Sequence, residues 1–171
     1  MPNNKILMMS SNYYKRNSVI NLNVDNELIK PHIVKAQNIH IEKILGTNLF
    51  DLVLSEIENN NVSTRIVDLL ENYIQPALID WTSYVALPYL NYKFTNKAVV
   101  RKSSDNSDSA ELSELNFLRQ DVRDDAEYLS ERMTKFLESN LTLYPEYNNG
   151  NNDCDDIKPS KNNFFSGIYL G

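Results

Sequence analysis

Cysteine is almost missing from this sequence. Among 171 residues there is one, Cys154, which excludes an intrachain disulfide framework and a multi-cysteine metal site. Glycine is scarce as well, and none of the four glycines builds a loop of the kind that cradles phosphate. Only two histidines are present, His32 and His40. They lie two helical turns apart with no acid of matching geometry, so they read as helix-surface or edge-of-core residues rather than metal ligands. Positive charge is in deficit: 17 Lys and Arg stand against 23 Asp and Glu, for a net charge of −6. That balance argues against non-specific nucleic-acid binding over the whole surface, which needs clustered cations. Long apolar runs are absent too. Ile6 to Met9 is too short for the core of a signal peptide, and no stretch approaches the roughly 18 apolar residues of a membrane span. The chain reads as cytosolic, with no membrane partner, and the sequons at Asn61 and Asn140 then carry no weight.

What is present is ordinary for a globular domain. Hydrophobic residues make up 42% and charged residues 23%, and a chain of this length fits one domain with extensions. Residues 25 to 45 carry Leu28, Ile29, Ile33, Ala36, Ile39 or His40, and Lys43 or Ile44 at helical spacing. Asp25 is placed to cap this helix and Gly46 to stop it, while Pro31 sits near enough to the start to be tolerated. A second helix begins at Thr47 or Asn48, with Leu49, Phe50, Val53, Leu54 and Ile57 on one stripe, and ends in the loop from Asn59 to Asn61.

The pattern resumes at Ser63 for almost thirty residues and becomes apolar nearly all round after Pro76. That predicts a buried central helix, kinked or split at Pro76 and irregular again near Pro88. A polar excursion with a strand-like piece follows over 93 to 107. Asp108 and Glu111 then fit a capping box for a long amphipathic helix to about Asn140. Its inward residues are predicted as Leu112, Leu115, Leu118 or Phe117, Val122, Leu129, Met133, Phe136 and Leu137. The fold class is therefore all-α: four main helices, a polar loop before the last, and an arm at each end. The boundaries are an N-terminal arm over 1 to 24 with a short helix at 11 to 16, a helical domain over 25 to 140, and a spacer and aromatic arm over 141 to 171.

No catalytic, metal or cofactor site is predicted. Asp121, Asp124, Asp125 and Glu127 interleave with Arg119, Arg123 and Arg132, as a solvated ion-pair face does. Trp81, Tyr84, Tyr89 and Tyr92 follow near-helical spacing, which core packing explains. Two features carry more information. Lys93, Lys97, Arg101 and Lys102 concentrate four cations in ten residues of an acidic chain; contact with phosphates, contact with an acidic neighbouring subunit, and a solvated loop all fit them. The C-terminus is the other. After a polar, Asn-rich spacer, "NNFFSGIYLG" presents Phe164, Phe165, Ile168, Tyr169 and Leu170 around Gly167. A loose terminus normally stays polar, so this one is read as a partner-binding arm. Composition and spacing leave two readings open. One is a subunit that locks onto neighbours through its arms; the other is a small regulatory or adaptor module whose tail binds one protein.

Three stretches resemble a known family. "NLNVDNELIKPHIVKAQNIHIEKILGTNLFDLVLSEI" has its helix, "LG(T/S)" turn and second helix. "YIQPALIDWTSYVALPYLNYKFTNKAVVRKSSDNS" is similar to its middle run, with Ala98 where the pattern often has glycine, and "FFSGIYLG" to its terminus. The family is the head–tail connector proteins (ring, adaptor or neck) of crAss-like and related Bacteroidetes tailed phages. The resemblance covers roughly residues 17 to 171. It implies a non-enzymatic neck subunit of the virion, built in the host cytoplasm and assembled as a twelve-fold ring below the portal. Its partners would be further copies of itself, the portal protein, other neck or tail rings, and double-stranded DNA passing through the channel without sequence-specific binding. An acidic channel suits passing DNA, since tight phosphate binding hinders ejection.

Overall fold

Asp25 opens the first long helix, as its position predicts: its side chain accepts a hydrogen bond from the Glu27 amide, satisfying one of the orphan donors of a helix start. In the computed structural model, which describes residues 6–18, 24–90, 92–94, 99–101, 112–148 and 157–159, this helix is α2 (Asn26–Ala36). It continues through a π-helical turn, Gln37–Ile41, into α3 (Glu42–Leu45). Gly46 ends the rod at φ 74°. A short helix, α1 (Ser11–Asn17), precedes it, and α4 (Thr47–Glu58) follows. Asn60 turns the chain at φ 51°. Ser63 then starts a second rod: α5 (Thr64–Leu69), a π turn (Leu70–Ile74) and α6 (Gln75–Leu90).

The second π turn sits immediately before Pro76. Proline has no amide to give, and its ring excludes the carbonyl four residues back. A wider turn at that point absorbs the mismatch, and the rod stays continuous. Pro88 lies inside α6, which runs two residues beyond it. Next comes an antiparallel hairpin, β1 (Tyr92–Phe94) with β2 (Val99–Arg101). The chain then forms α7 (Leu112–Ser139) and a 3₁₀ turn at Pro145–Tyr147. Asp108 and Glu111, the predicted capping box, lie outside the described residues.

The architecture is all-α, built on four main helices (the α2–α3 rod, α4, the α5–α6 rod and α7). Helix α6 is central, packing against α2 and α7. Ala77, Leu78, Trp81, Thr82, Ser83, Val85 and Ala86 are all buried along it, which accounts for its all-round apolar pattern. Ile29, Ile33, Ala36, Leu49, Phe50, Val53, Ile66, Leu69, Met133 and Leu137 complete a single contiguous core.

Four expectations need correction. Residues 6–18 are not an arm. Met8, Met9 and Tyr14 are buried, and the backbone of this segment is held by two glutamines, one at each π turn. Gln37 accepts from the Met8 amide at 3.3 Å and donates to the Ile6 carbonyl at 2.9 Å. Gln75 donates to the Met8 carbonyl at 3.2 Å. The domain also does not stop at 140: Tyr144 and Tyr147 are buried. Arg65 grips Glu146 through both guanidinium nitrogens at 2.8 and 2.9 Å and donates to the Leu143 carbonyl as well. In α7, Phe117 is 78% and Leu118 42% exposed. Leu115, Ala126, Met133 and Leu137 set the inward line, and Phe117 lies about 200° round the helix from Leu115. Last, Leu28 and Ile39 face outward: Ile29, Ile33 and Ala36 hold the inward line before the π turn, and the turn brings Ile41, Ile44 and Leu45 into the core after it.

Candidate partner-docking surface

The corner between α3 and α4 is where the end of the chain returns. The Thr47 amide donates to the Ile157 carbonyl at 2.9 Å, and the Ile157 amide donates to Thr47 Oγ1 at 2.9 Å. Thr47 Oγ1 also lies 3.4 Å from Glu42 Oε1, a weak additional bond. Pro159 covers Gly46 so closely that a Cβ there would sit 2.7 Å from its ring carbons. The "LGT" turn is thus a clasp. Glycine supplies the positive φ and the room, and threonine supplies a donor and an acceptor for one residue of the returning strap. Residues 157–159, within the polar spacer, are anchored at the corner through the two backbone groups of Ile157, whose side chain stays 42% exposed.

The predicted arm residues Phe164, Phe165, Gly167, Ile168, Tyr169 and Leu170 lie outside the described residues, as do Lys97 and Lys102. Lys93 and Arg101 are in the hairpin, where the ladder pairs Lys93 with Val100 and Tyr92 with Arg101. The two cations therefore belong to adjacent cross-strand pairs, one rung apart.

A band of aromatic and cationic groups joins the π turn at Gln37–Ile41, α6 and α7. His40 stacks on Trp81 with ring centroids 3.7 Å apart and planes 6° from parallel. Tyr84 meets Trp81 edge-on, and the Arg119 guanidinium lies 4.2 Å from the Tyr84 ring centroid while donating to the Tyr84 carbonyl. Trp81 Nε1 donates to Ser130 Oγ at 2.9 Å. Sequence spacing placed Trp81 and Tyr84 in packing roles, and the structure uses them so; Tyr89, placed with them, is 43% exposed, and Arg119, read as part of a solvated ion-pair face, covers the Tyr84 ring. Among the described residues no group of three or more potential metal ligands occurs.

Two half-buried groups on these helices titrate away from their ordinary values. Burial, reinforced by Lys43 and Lys35, pushes His40 down to about 4. Burial, then the charge of Asp125, pushes Asp80 up to about 6, and no cation pairs with Asp80 among the described residues. The signs are opposite. The His40 contribution is complete above about 6.5 and is lost as pH falls towards 4. The Asp80 contribution is complete below its ordinary value and is lost as pH rises through 6. Asp80→Asn is therefore expected to raise Tm at pH 7.5 and leave it unchanged near pH 4. Because the carboxyl is partly solvated, the expected gain is about 2–4 °C, the equivalent of roughly 1 kcal/mol in a domain of this size. Thermal melts at the two pH values decide it; an equal shift at both would remove the Asp80 charge as the cause.

A family of unknown function, DUF6712, matches residues 41–157, well over half of the chain. The chain belongs to this family. The DUF6712 segment begins at the last residue of the first π turn and ends on Ile157, so it spans the α3–α4 corner with its Ile157 partner, the central helix and α7. No curated protein and no solved structure matches the chain.

Proposed function

We propose that this DUF6712 chain is a structural, non-enzymatic subunit of a phage neck, forming a ring below the portal that extends the DNA channel and joins capsid to tail. The resemblance of its three motif stretches to connector proteins favours this reading, and the clasp is the observation that carries it. Residues 157–159 are held at the α3–α4 corner, so the chain that follows starts from a fixed point on the outside of the domain. The twelve residues from Ser160 to Gly171 can span about 40 Å. Their aromatic groups favour a partner surface, since each Å² of apolar area left in water costs about 25 cal/mol. Gly167 and the apolar residues on either side of it suit strand addition to a neighbouring subunit or to the portal.

Native mass spectrometry of the full chain mixed with portal protein is expected to show a closed, multi-copy complex. A chain lacking residues 161–171 keeps the clasp, so its Tm should stay within about 1 °C of the parent, because surface changes are usually near neutral. The same chain should fail to co-purify with portal. A strictly one-to-one complex would replace the ring with the adaptor reading, in which the tail binds a single protein. A large loss of stability with binding intact would show that the tail staples its own helices.

A further inference from the structure

The domain carries two exposed stripes of matched spacing and opposite charge. On the first rod, Leu28 is 54% and Ile39 50% exposed, and the exposed Lys35 and Lys43 follow them at helical steps, the Lys35 ammonium lying 5.6 Å from the Tyr89 ring centroid. The π turn at Gln37–Ile41 keeps Lys35, Ile39 and Lys43 in register at four-residue steps, where an unbroken α-helix would drift. On α7, Phe117 is 78% and Tyr128 68% exposed. Asp121 and Asp124 stand exposed between them, Asp124 accepting from Gln120. In each stripe the two apolar groups are eleven residues apart, three turns or about 16 Å. One stripe sets cations alongside its apolar pair and the other sets acids.

The rod and α7 both pack on α6, and α3 touches α7, yet Leu28, Ile39, Phe117 and Tyr128 all stay exposed. The stripes therefore do not cover each other within one copy. A phenylalanine in open water, with a tyrosine, an isoleucine and a leucine also exposed, is unusual for faces left uncovered within one copy.

We infer that the Leu28–Lys35–Ile39–Lys43 stripe of one copy seats the Phe117–Asp121–Asp124–Tyr128 stripe of a second copy. The apolar pairs meet at matching spacing, and Lys35 then lies opposite Asp121 in the antiparallel register or opposite Asp124 in the parallel one. The contact joins two different surfaces, so it is heterologous and repeats from copy to copy, closing into a ring where the rotation permits. Charge here chooses partner and register, and the apolar pairs supply most of the affinity. The inference deepens the neck reading and rests on it for its biological setting, yet it is tested on the protein alone.

The experiment uses the full chain carrying Cys154→Ser, with pairs of new cysteines and mild oxidation at high protein concentration. Ile39→Cys with Phe117→Cys tests the antiparallel register, and Ile39→Cys with Tyr128→Cys the parallel one. One of the two double variants is expected to give a disulfide ladder of dimers, trimers and longer species. Mixing the corresponding single variants should stop at dimers, because each chain then offers one productive surface. Adding Lys35→Asp and Lys43→Asp to the ladder-forming variant should abolish the ladder. Adding Asp121→Lys and Asp124→Lys should do the same, and all four together should restore it. All these positions are exposed, so melting curves should remain near the parent and separate lost contact from lost fold. No ladder in either register overturns the inference, and so does efficient dimerisation of Ile39→Cys or Phe117→Cys alone, which signals a two-fold contact. A ladder without incorporation into virions would keep the interface and discard the neck; incorporation without a ladder would do the reverse.

Discussion

Replacing Tyr14 with alanine is expected to lower stability by about 3–5 kcal/mol, the range for deleting a large buried aromatic, or roughly 10 °C in Tm for a domain of this length. Tyr14 is fully buried on a helix of seven residues, far too short to be stable alone. Its ring therefore belongs to the core, and α1 exists because that ring is buried. Tyr14→Phe separates ring from hydroxyl. The hydroxyl lies 2.9 Å from Ser83 Oγ, and Ser83 keeps its own bond to the Ile79 carbonyl at 3.0 Å. Ser18 is a second partner of the hydroxyl, so the variant loses two bonds, each worth only about 1 kcal/mol. The phenylalanine variant should thus melt within a few degrees of the parent and the alanine variant far below it. If Tyr14→Ala also melts within about 2 °C, residues 6–18 are peripheral and the arm reading returns.

That segment marks where the sequence stops being legible. The helices were visible because their signals are local: Asp25 before an apolar period, Gly46 after it, a proline where the central helix changes its turn. The all-round apolar pattern after Pro76 pointed to a buried centre, and α6 is that centre. The burial of Met8, Met9 and Tyr14 depends instead on Gln37 and Gln75, whose side chains reach residues some thirty and sixty-seven positions away. Nothing in the spacing of "MPNNKILMMSSNYYKRN" records such partners. The two glutamines at otherwise apolar helix positions were the available signal, since a buried amide is retained where it has backbone groups to satisfy.

A similar limit applies to the outward face of α7. Counting apolar residues at three- and four-residue steps admits either Phe117 or Leu118 to the core line, and both are exposed because Leu115 and Ala126 fix the line a different way. The π turn in the first rod misled the count in the same manner. It rotates everything after Ala36, so Ile39, apolar and in period, ends outside. The positions at which a regular period failed are the ones that carry the proposed contact between copies. The clasp was half legible: "LGT" read as a helix stop, whereas its closeness to Pro159 depends on a return of the chain from more than a hundred residues away.

Gly46→Ala tests that clasp and carries the second large effect. At φ 74° and ψ 156° the backbone is in a region nearly confined to glycine, where any other residue costs about 1–3 kcal/mol. Sterics add to it: the new Cβ would lie 2.7 Å from the Pro159 ring carbons and 3.2 Å from the Ile157 carbonyl. Helix α4 starts at this corner, with the Phe50 amide donating to the Gly46 carbonyl at 3.0 Å, so the backbone cannot turn away without disturbing its first turn. The strap can move more easily. Gly46→Ala is therefore expected to lower Tm by roughly 5–10 °C and also to lift residues 157–159 from the corner. Hydrogen exchange reads the second effect at the Thr47 amide, whose acceptor is the Ile157 carbonyl. Pro159→Ala removes the ring and leaves the backbone angle unchanged. Combined with Gly46→Ala it should recover only the steric part of the loss and restore some protection at Thr47. If Gly46→Ala instead melts like the parent with Thr47 still protected, the corner neither needs glycine nor holds the strap, and the tail has no fixed point from which to reach a neighbour.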